Sequence, residues 1–328
     1  MVSLPFLRRT SRAAAAPDPL FDAAFRRRIE QMALRTRQTL AWRAVGEHRS
    51  PRRAPSREFT DFRVYTQGED LRYLDWNTFA RLGEMVTRLG QISTELTVHI
   101  LIDTSASMNW GDPNKLRYAK RLAAALGYLS LWHFDRLQIA PFGARLDAAG
   151  FGPRRGRAAI APLFSYLEGL PAAGGTDFAA SLAEYARRQR APGVLLLISD
   201  LLTPEGGDPT AALRPFLERG WDVIVFHTLD AQEVEPGYTG DLRLQDVERD
   251  GGRGLRITPD DRTLTEYRAA FDRWLGEIEG ACATRRIGYL RLLTAWSFEE
   301  LVLRFLVSND VVGPRGERVA RARAAVRR

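Results

Sequence analysis

The chain has 328 residues, enough for one large domain and a smaller module, and 45% of them are apolar, an ordinary share for a packed core. A single cysteine, Cys282, excludes an internal disulfide and a cysteine-based zinc site, and fits a reducing compartment. The net charge of +8 sits at the ends: residues 1–57 carry +9 and residues 313–328 carry +5, while the remainder carries −6. No run of about eighteen apolar residues appears, so no membrane-spanning helix is expected. The first residues, MVSLPFLRRTSRAAAAPDP, place arginines after a short apolar part, the reverse of a secretory signal, so a cytoplasmic location is expected.

In chain order, Leu20 to Val45 reads as a helix, because Phe21, Phe25, Ile29, Met32 and Thr36 share one face; Asp18-Pro19 is its expected start. Gly46 to Arg57 reads as a basic connector. In EFTDFRVY the side chains alternate, which predicts a short strand. A turn and a short helix follow in GEDLRYLDWNTFAR, then a strand at Met85 to Leu89. Asp70, Arg72, Asp75 and Arg81 are expected to form structural ion pairs. Leu96 to Ile102 is an apolar run of the kind found in strands buried on both faces. Asp112-Pro113 is the expected cap of a helix to about Phe134. Strands are expected at Arg136–Phe142, with Arg145–Gly150 returning as an edge, and at Val194–Ile198 and Trp221–His227. Helices are expected at Ala158–Leu170, from Asp177 to about Arg190, and after Asp208-Pro209. Asp241 to Ile257 suggests a hairpin around Asp250-Gly251-Gly252. A long helix from Leu264 to Gly288, a strand at Tyr289–Leu293 and a helix at Phe298–Leu306 complete the pattern. Strands alternating with helices predict an α/β fold with a doubly wound, mostly parallel sheet.

Polar residues at the carboxyl end of a buried parallel strand stand where open α/β sheets bind ligands. Asp103, Ser105 and Ser107 follow the Leu96–Ile102 strand and alternate, so an extended segment puts one carboxylate and two hydroxyls on one side. These are hard oxygen donors suited to Mg²⁺, with Mn²⁺ or Ca²⁺ as alternatives. Two further loops reach the same rim, Gly174-Gly175-Thr176 and Asp200.

The Asp-x-Ser-x-Ser segment resembles the metal-ion-dependent adhesion site of von Willebrand factor A domains. The upstream GEDLRYLDWNTFAR, Gly68 to Arg81, resembles the signature of a bacterial family called domain-of-unknown-function 58. The resemblance implies a metal held by Asp103, Ser105, Ser107, Thr176 and Asp200, with an outside carboxylate from a partner completing it. It also implies four regions: a basic helix and linker (1–57), a family-specific segment packed on the main domain (58–95), a von Willebrand factor A-like domain (96–312) and a basic tail (313–328). Members of the family commonly stand beside MoxR-type AAA+ ATPases. The expected role is therefore an adaptor or co-chaperone working with such an ATPase and a client protein. Asp177 reads as a helix cap, and His227 and Cys282 as packing residues.

Other functions have less support. A phosphatase of the haloacid dehalogenase type wants Asp-x-Asp, and Ser105 stands at the second position. There is no Gly-x-Ser-x-Gly elbow and no phosphate loop ending Gly-Lys-Ser/Thr, and only Lys115 and Lys120 are lysines. No enzymatic activity is expected; a metal-dependent hydrolase is the enzymatic alternative. Nucleic-acid binding would rest on the basic ends alone, because the body is acidic.

Overall fold

A computed structural model describes residues 20–35, 53–55, 61–66, 74–91, 97–147, 149–203, 206–238, 240–244 and 255–297. The chain divides into two compact units, residues 45–95 and the remainder. Strands and helices are numbered here in chain order.

Helix α1, Ala23–Arg35, begins where Asp22 accepts from the Phe25 amide at 2.6 Å. Asp18, the expected start, lies outside the described residues, as does Thr36. Phe21, Phe25, Ile29 and Met32 are buried, as their spacing requires. Phe21 meets Phe164 at 5.0 Å between ring centroids, and Arg121 lies over the Phe25 ring.

The unit of residues 45–95 holds a three-stranded antiparallel sheet, β1 (Arg53–Pro55), β2 (Asp61–Val64) and β3 (Val86–Gln91), in the order β1-β3-β2. Strand β1 falls in the stretch expected to be a connector. Helix α2, Trp76–Leu82, is capped by Asp75, which accepts from the amides of Asn77 and Thr78. Of the residues expected to form ion pairs, Asp70 and Arg72 lie outside the described residues.

The larger unit is built on a six-stranded, mostly parallel sheet in the order β11-β8-β7-β4-β5-β6. Its strands are β4 (Thr97–Asp103), β5 (Arg136–Phe142), β6 (Phe151–Arg155), β7 (Val194–Ser199), β8 (Asp222–Leu229) and β11 (Gly288–Leu293). Only β6 runs antiparallel. The expected edge at Arg145–Gly150 is not the strand: Leu146 makes one bridge to Phe142, and the edge is β6. The return is longer than expected, and before β6 the Ala149 amide is bonded to the Asp147 carboxylate at 2.8 Å.

The two central strands show why their sequences are continuously apolar. Val98, Ile100 and Ile102 of β4, with Val194, Leu196 and Ile198 of β7, face helices α1, α3 (Lys115–Trp132) and α4 (Ile160–Glu168). Leu101, Leu195 and Leu197 face the opposite layer, which holds α5 (Phe178–Arg188), Phe216 of the short helix α6 (Arg214–Leu217), and Ile278. Successive side chains point to opposite faces, and both faces are covered. Each of these side chains, fully buried, contributes about 1.5–3 kcal/mol.

Asn114, not Asp112, caps α3, accepting from the Arg117 amide at 3.0 Å. After β8 come a short helix, α7 (Ala231–Val234), and a hairpin of β9 (Leu242–Leu244) and β10 (Leu255–Ile257). The Asp250-Gly251-Gly252 tip lies outside the described residues. The long helix α8, Asp261–Thr284, then leads to β11; it starts three residues earlier than expected because Asp260 caps it. The helix expected at Phe298–Leu306 also lies outside the described residues.

Candidate functional site

Strands β4 and β7 are parallel neighbours with Ile102 level with Ile198, so Asp103 and Asp200 leave the sheet at the same carboxyl-end rim. Ser199, one step beyond Ile198, donates from Oγ to Asp103 Oδ2 at 2.6 Å. The Ser105 amide donates to Asp103 Oδ1 at 3.0 Å, turning the chain sharply after the strand. That turn brings Ser105 Oγ and Ser107 Oγ to 2.9 Å of each other.

Backbone bonds stitch neighbouring loops to this turn. The Thr104 amide donates to the Phe142 carbonyl at 2.8 Å, the Ala106 amide to the Gly174 carbonyl at 2.8 Å, and the Ala173 amide to the Thr104 carbonyl at 3.0 Å. Gly174 has φ +75°, a conformation glycine adopts without steric cost. Thr176 thereby comes to the rim, 8% exposed, while Asp103, Ser105, Ser107 and Asp200 are fully buried. Asp177 caps α5, accepting from the Ala180 amide at 2.9 Å, as its position suggested.

Lys115, at the start of α3, joins the site although no motif marks it. Its ammonium, fully buried, donates to Asp200 Oδ2 at 2.8 Å and to Glu233 Oε1 at 2.7 Å. Burial alone would lower its pKa, but the two carboxylates outweigh that and raise it. Glu233 in turn completes a capping box on α7: its carboxylate accepts from the Asp230 amide at 2.7 Å. Burial, with a further push from Asp200, raises the Glu233 pKa, and Lys115 opposes that rise. A signal for Lys115 did exist. The chain has 48 basic residues and only two lysines, and both are buried. Ser199 had a weaker signal, its place at the end of the aliphatic run.

Asp103 is held by hydroxyl and amide groups. Burial raises its pKa to about 7, the charge of Asp200 adds to the rise, and the bonds from Ser105 and Ser199 oppose it. Leu201, directly after Asp200, sits at φ +56° although it carries a branched side chain. Such backbone strain is held only where the surroundings over-determine it, and it concentrates at functional sites. His227, level with Ser199 on β8, is a buried packing residue. Its Nε2 donates to the Asp200 carbonyl at 2.9 Å, which leaves Nδ1 to accept from Tyr289 Oη at 2.7 Å. Burial lowers its pKa to about 3. Cys282 is buried in the core, and burial pushes its thiol up to about 12.

The cluster thus gathers the hydroxyls of Ser105, Ser107, Thr176 and Ser199, the carboxylates of Asp103, Asp200 and Glu233, and the Lys115 ammonium. Among the described residues no group of three or more His, Cys, Asp or Glu could hold a metal. A site here would draw on hydroxyls instead, the donors hard cations accept. No described helix is long and apolar enough to cross a membrane.

The chain is similar to uncharacterized proteins of Mycobacterium bovis and Mycobacterium tuberculosis. These are 28% identical over 299 residues, covering 83% of this chain and 92% of each relative. Among solved structures, the conserved hypothetical protein BatB from Bacteroides thetaiotaomicron matches with 17% identity and a TM-score of 0.40, over 63% of this chain and 95% of its own. An aerotolerance-related membrane protein from Bacteroides fragilis matches with 19% identity and a TM-score of 0.35, over 56% of this chain and 99% of its own. The family model described as "Protein of unknown function DUF58" matches residues 61–274, well over half the length, and the chain belongs to that family.

Proposed function

We propose that this chain is a metal-dependent protein-interaction module with a von Willebrand factor A-like main domain. In this reading Asp103, Ser105, Ser107, Thr176 and Asp200 hold Mg²⁺, or Mn²⁺ or Ca²⁺ in its place. The observation that carries the reading is the meeting of Ser105 Oγ and Ser107 Oγ, 2.9 Å apart, beside the buried Asp103. A buried carboxylate with no cation on it is costly, and a bound divalent ion removes that cost. Lys115 already offsets part of the Asp200 charge, so the two carboxylates supply less negative charge than the +2 of a divalent cation. Such an ion keeps attraction for one further carboxylate, which a partner's Asp or Glu supplies.

The partners proposed are a MoxR-type AAA+ ATPase and a client protein, with the chain as adaptor or co-chaperone. The test is affinity capture with the full chain across a Mg²⁺ titration, for wild type and Asp103→Ala. Capture of the ATPase that rises with Mg²⁺ in wild type and not in the variant is the expected result. Identical curves, or capture that ignores chelator, would leave the rim a purely structural feature.

A further inference from the structure

Glu233 faces two ways. On one side it holds Lys115; on the other it lines a pocket of about 130 Å³ between α7, the β9–β10 hairpin and the first half of α8. The pocket is walled by aromatic rings: Trp110, Tyr238, Tyr267, Phe271 and Trp274. Several polar atoms on this wall are already engaged. Tyr238 Oη donates to Gln232 Oε1 at 2.7 Å, and Tyr267 Oη donates to the Glu233 carbonyl at 2.8 Å. The Glu233 carboxylate accepts from Lys115 and from the Asp230 amide. A guest therefore gains little from hydrogen bonding here and much from leaving water.

The size points to one side chain. A dry cavity of roughly 150 Å³ in another protein takes up benzene. The apolar surface also continues outside: Leu255 is 58% exposed, and it alternates with the lining residue Ile257 on β10, so the two share a face. An exposed leucine beside an aromatic pocket suits a peptide that carries its own apolar group.

We propose that this pocket receives one phenylalanine- or leucine-sized side chain of a partner's peptide segment, adjacent to the carboxylate directed at the candidate metal site, and that filling it tightens metal binding. The proposal rests on the metal reading above. The link runs through charge. The Glu233 side chain is 13% exposed, and an apolar guest removes water from that edge. With less screening, Glu233 attracts the Lys115 ammonium more strongly. Lys115 is shared between Glu233 and Asp200 at nearly equal distance, so it is drawn from Asp200, which is freed toward the cation. Reciprocity requires that the metal tighten guest binding by the same factor.

The experiment uses the full chain and two blocked dipeptides, N-acetyl-Asp-Phe-amide and N-acetyl-Asp-Ala-amide. The indole N–H resonances of Trp110 and Trp274 report the pocket, and calorimetry reports Mg²⁺. The Asp-Phe probe is expected to shift both resonances and tighten Mg²⁺ by about fivefold or more. The Asp-Ala probe, which brings the carboxylate without the ring, should move neither resonance and should tighten Mg²⁺ less than the Asp-Phe probe does. Leu264→Trp or Ile257→Trp, each filling the pocket from its own wall, should abolish the shift and the gain. Shifts that are equal for both probes, or absent at saturating probe, overturn the pocket assignment. Shifts with unchanged Mg²⁺ affinity overturn the coupling. Shifts in a wild-type chain that takes up no Mg²⁺ remove the metal reading and the coupling while leaving the pocket assigned.

Discussion

Lys115 places one ammonium between Asp200 and Glu233 in a site from which water is largely removed. Breaking a buried pair by deleting one partner leaves the other charge uncompensated. Lys115→Met is therefore expected to destabilise the protein by about 3–5 kcal/mol, read from urea denaturation. Lys115→Arg should recover only part of that loss, because the planar guanidinium cannot occupy the space of a compact ammonium. At another buried residue the lever is pH. His99 on β4 is bonded to Tyr185 Oη at 2.8 Å, and burial lowers its pKa to about 3. The unfolded chain takes up a proton there near the ordinary pKa of about 6.5, and the folded chain resists until about 3. Its contribution is thus fully present above pH 6.5 and is lost as pH falls toward 3. His99→Gln should flatten the stability profile in that window by about 1.4 kcal/mol per pH unit, measured by denaturation at several pH values.

At the level of elements, the loops are held by caps and close approaches. Asp177→Ala removes the α5 cap and should cost about 0.5–2 kcal/mol while leaving Mg²⁺ affinity within about twofold, which calorimetry checks. Gly111 has φ +94°, and a Cβ there would come within 2.5 Å of Asp230 Oδ2. Gly111→Ala should lower the melting temperature, since both the backbone and the Asp230 capping box must shift. The same elements show what a sequence discloses. Strands β4 and β7 were legible because burial on both faces demands continuous apolar residues. Strand β6, FGPRR, was not, because an exposed edge tolerates Gly, Pro and Arg and so carries no hydrophobic pattern. Asp103, Ser105 and Ser107 were legible as a group because their convergence is local. Lys115 escaped because its partners lie 85 and 118 residues away, and only the sheet order brings them together. Asp112 was favoured as a cap by the proline after it, yet Asn114 stands next to the first helical turn and takes the role.

Across the whole molecule, a parallel sheet covered on both faces gives a rigid floor, and the loops at its carboxyl-end rim carry the polar groups. The sheet order places β4 and β7 at the centre, so Asp103 and Asp200 share that rim whatever the outer elements do. Asp103 ends a strand and backbone bonds from Thr104, Ala106 and Ala173 hold the loops that carry the other donors, which suits a cation that tolerates little deviation in geometry. The central claim is that this rim binds a divalent cation. Calorimetric titration of Mg²⁺ into the chelator-stripped full chain tests it, with wild type and Asp103→Ala compared and circular dichroism confirming that both are folded. One bound Mg²⁺ in wild type and none in Asp103→Ala is the predicted result; no binding to the folded wild type, or equal binding to both, would contradict it.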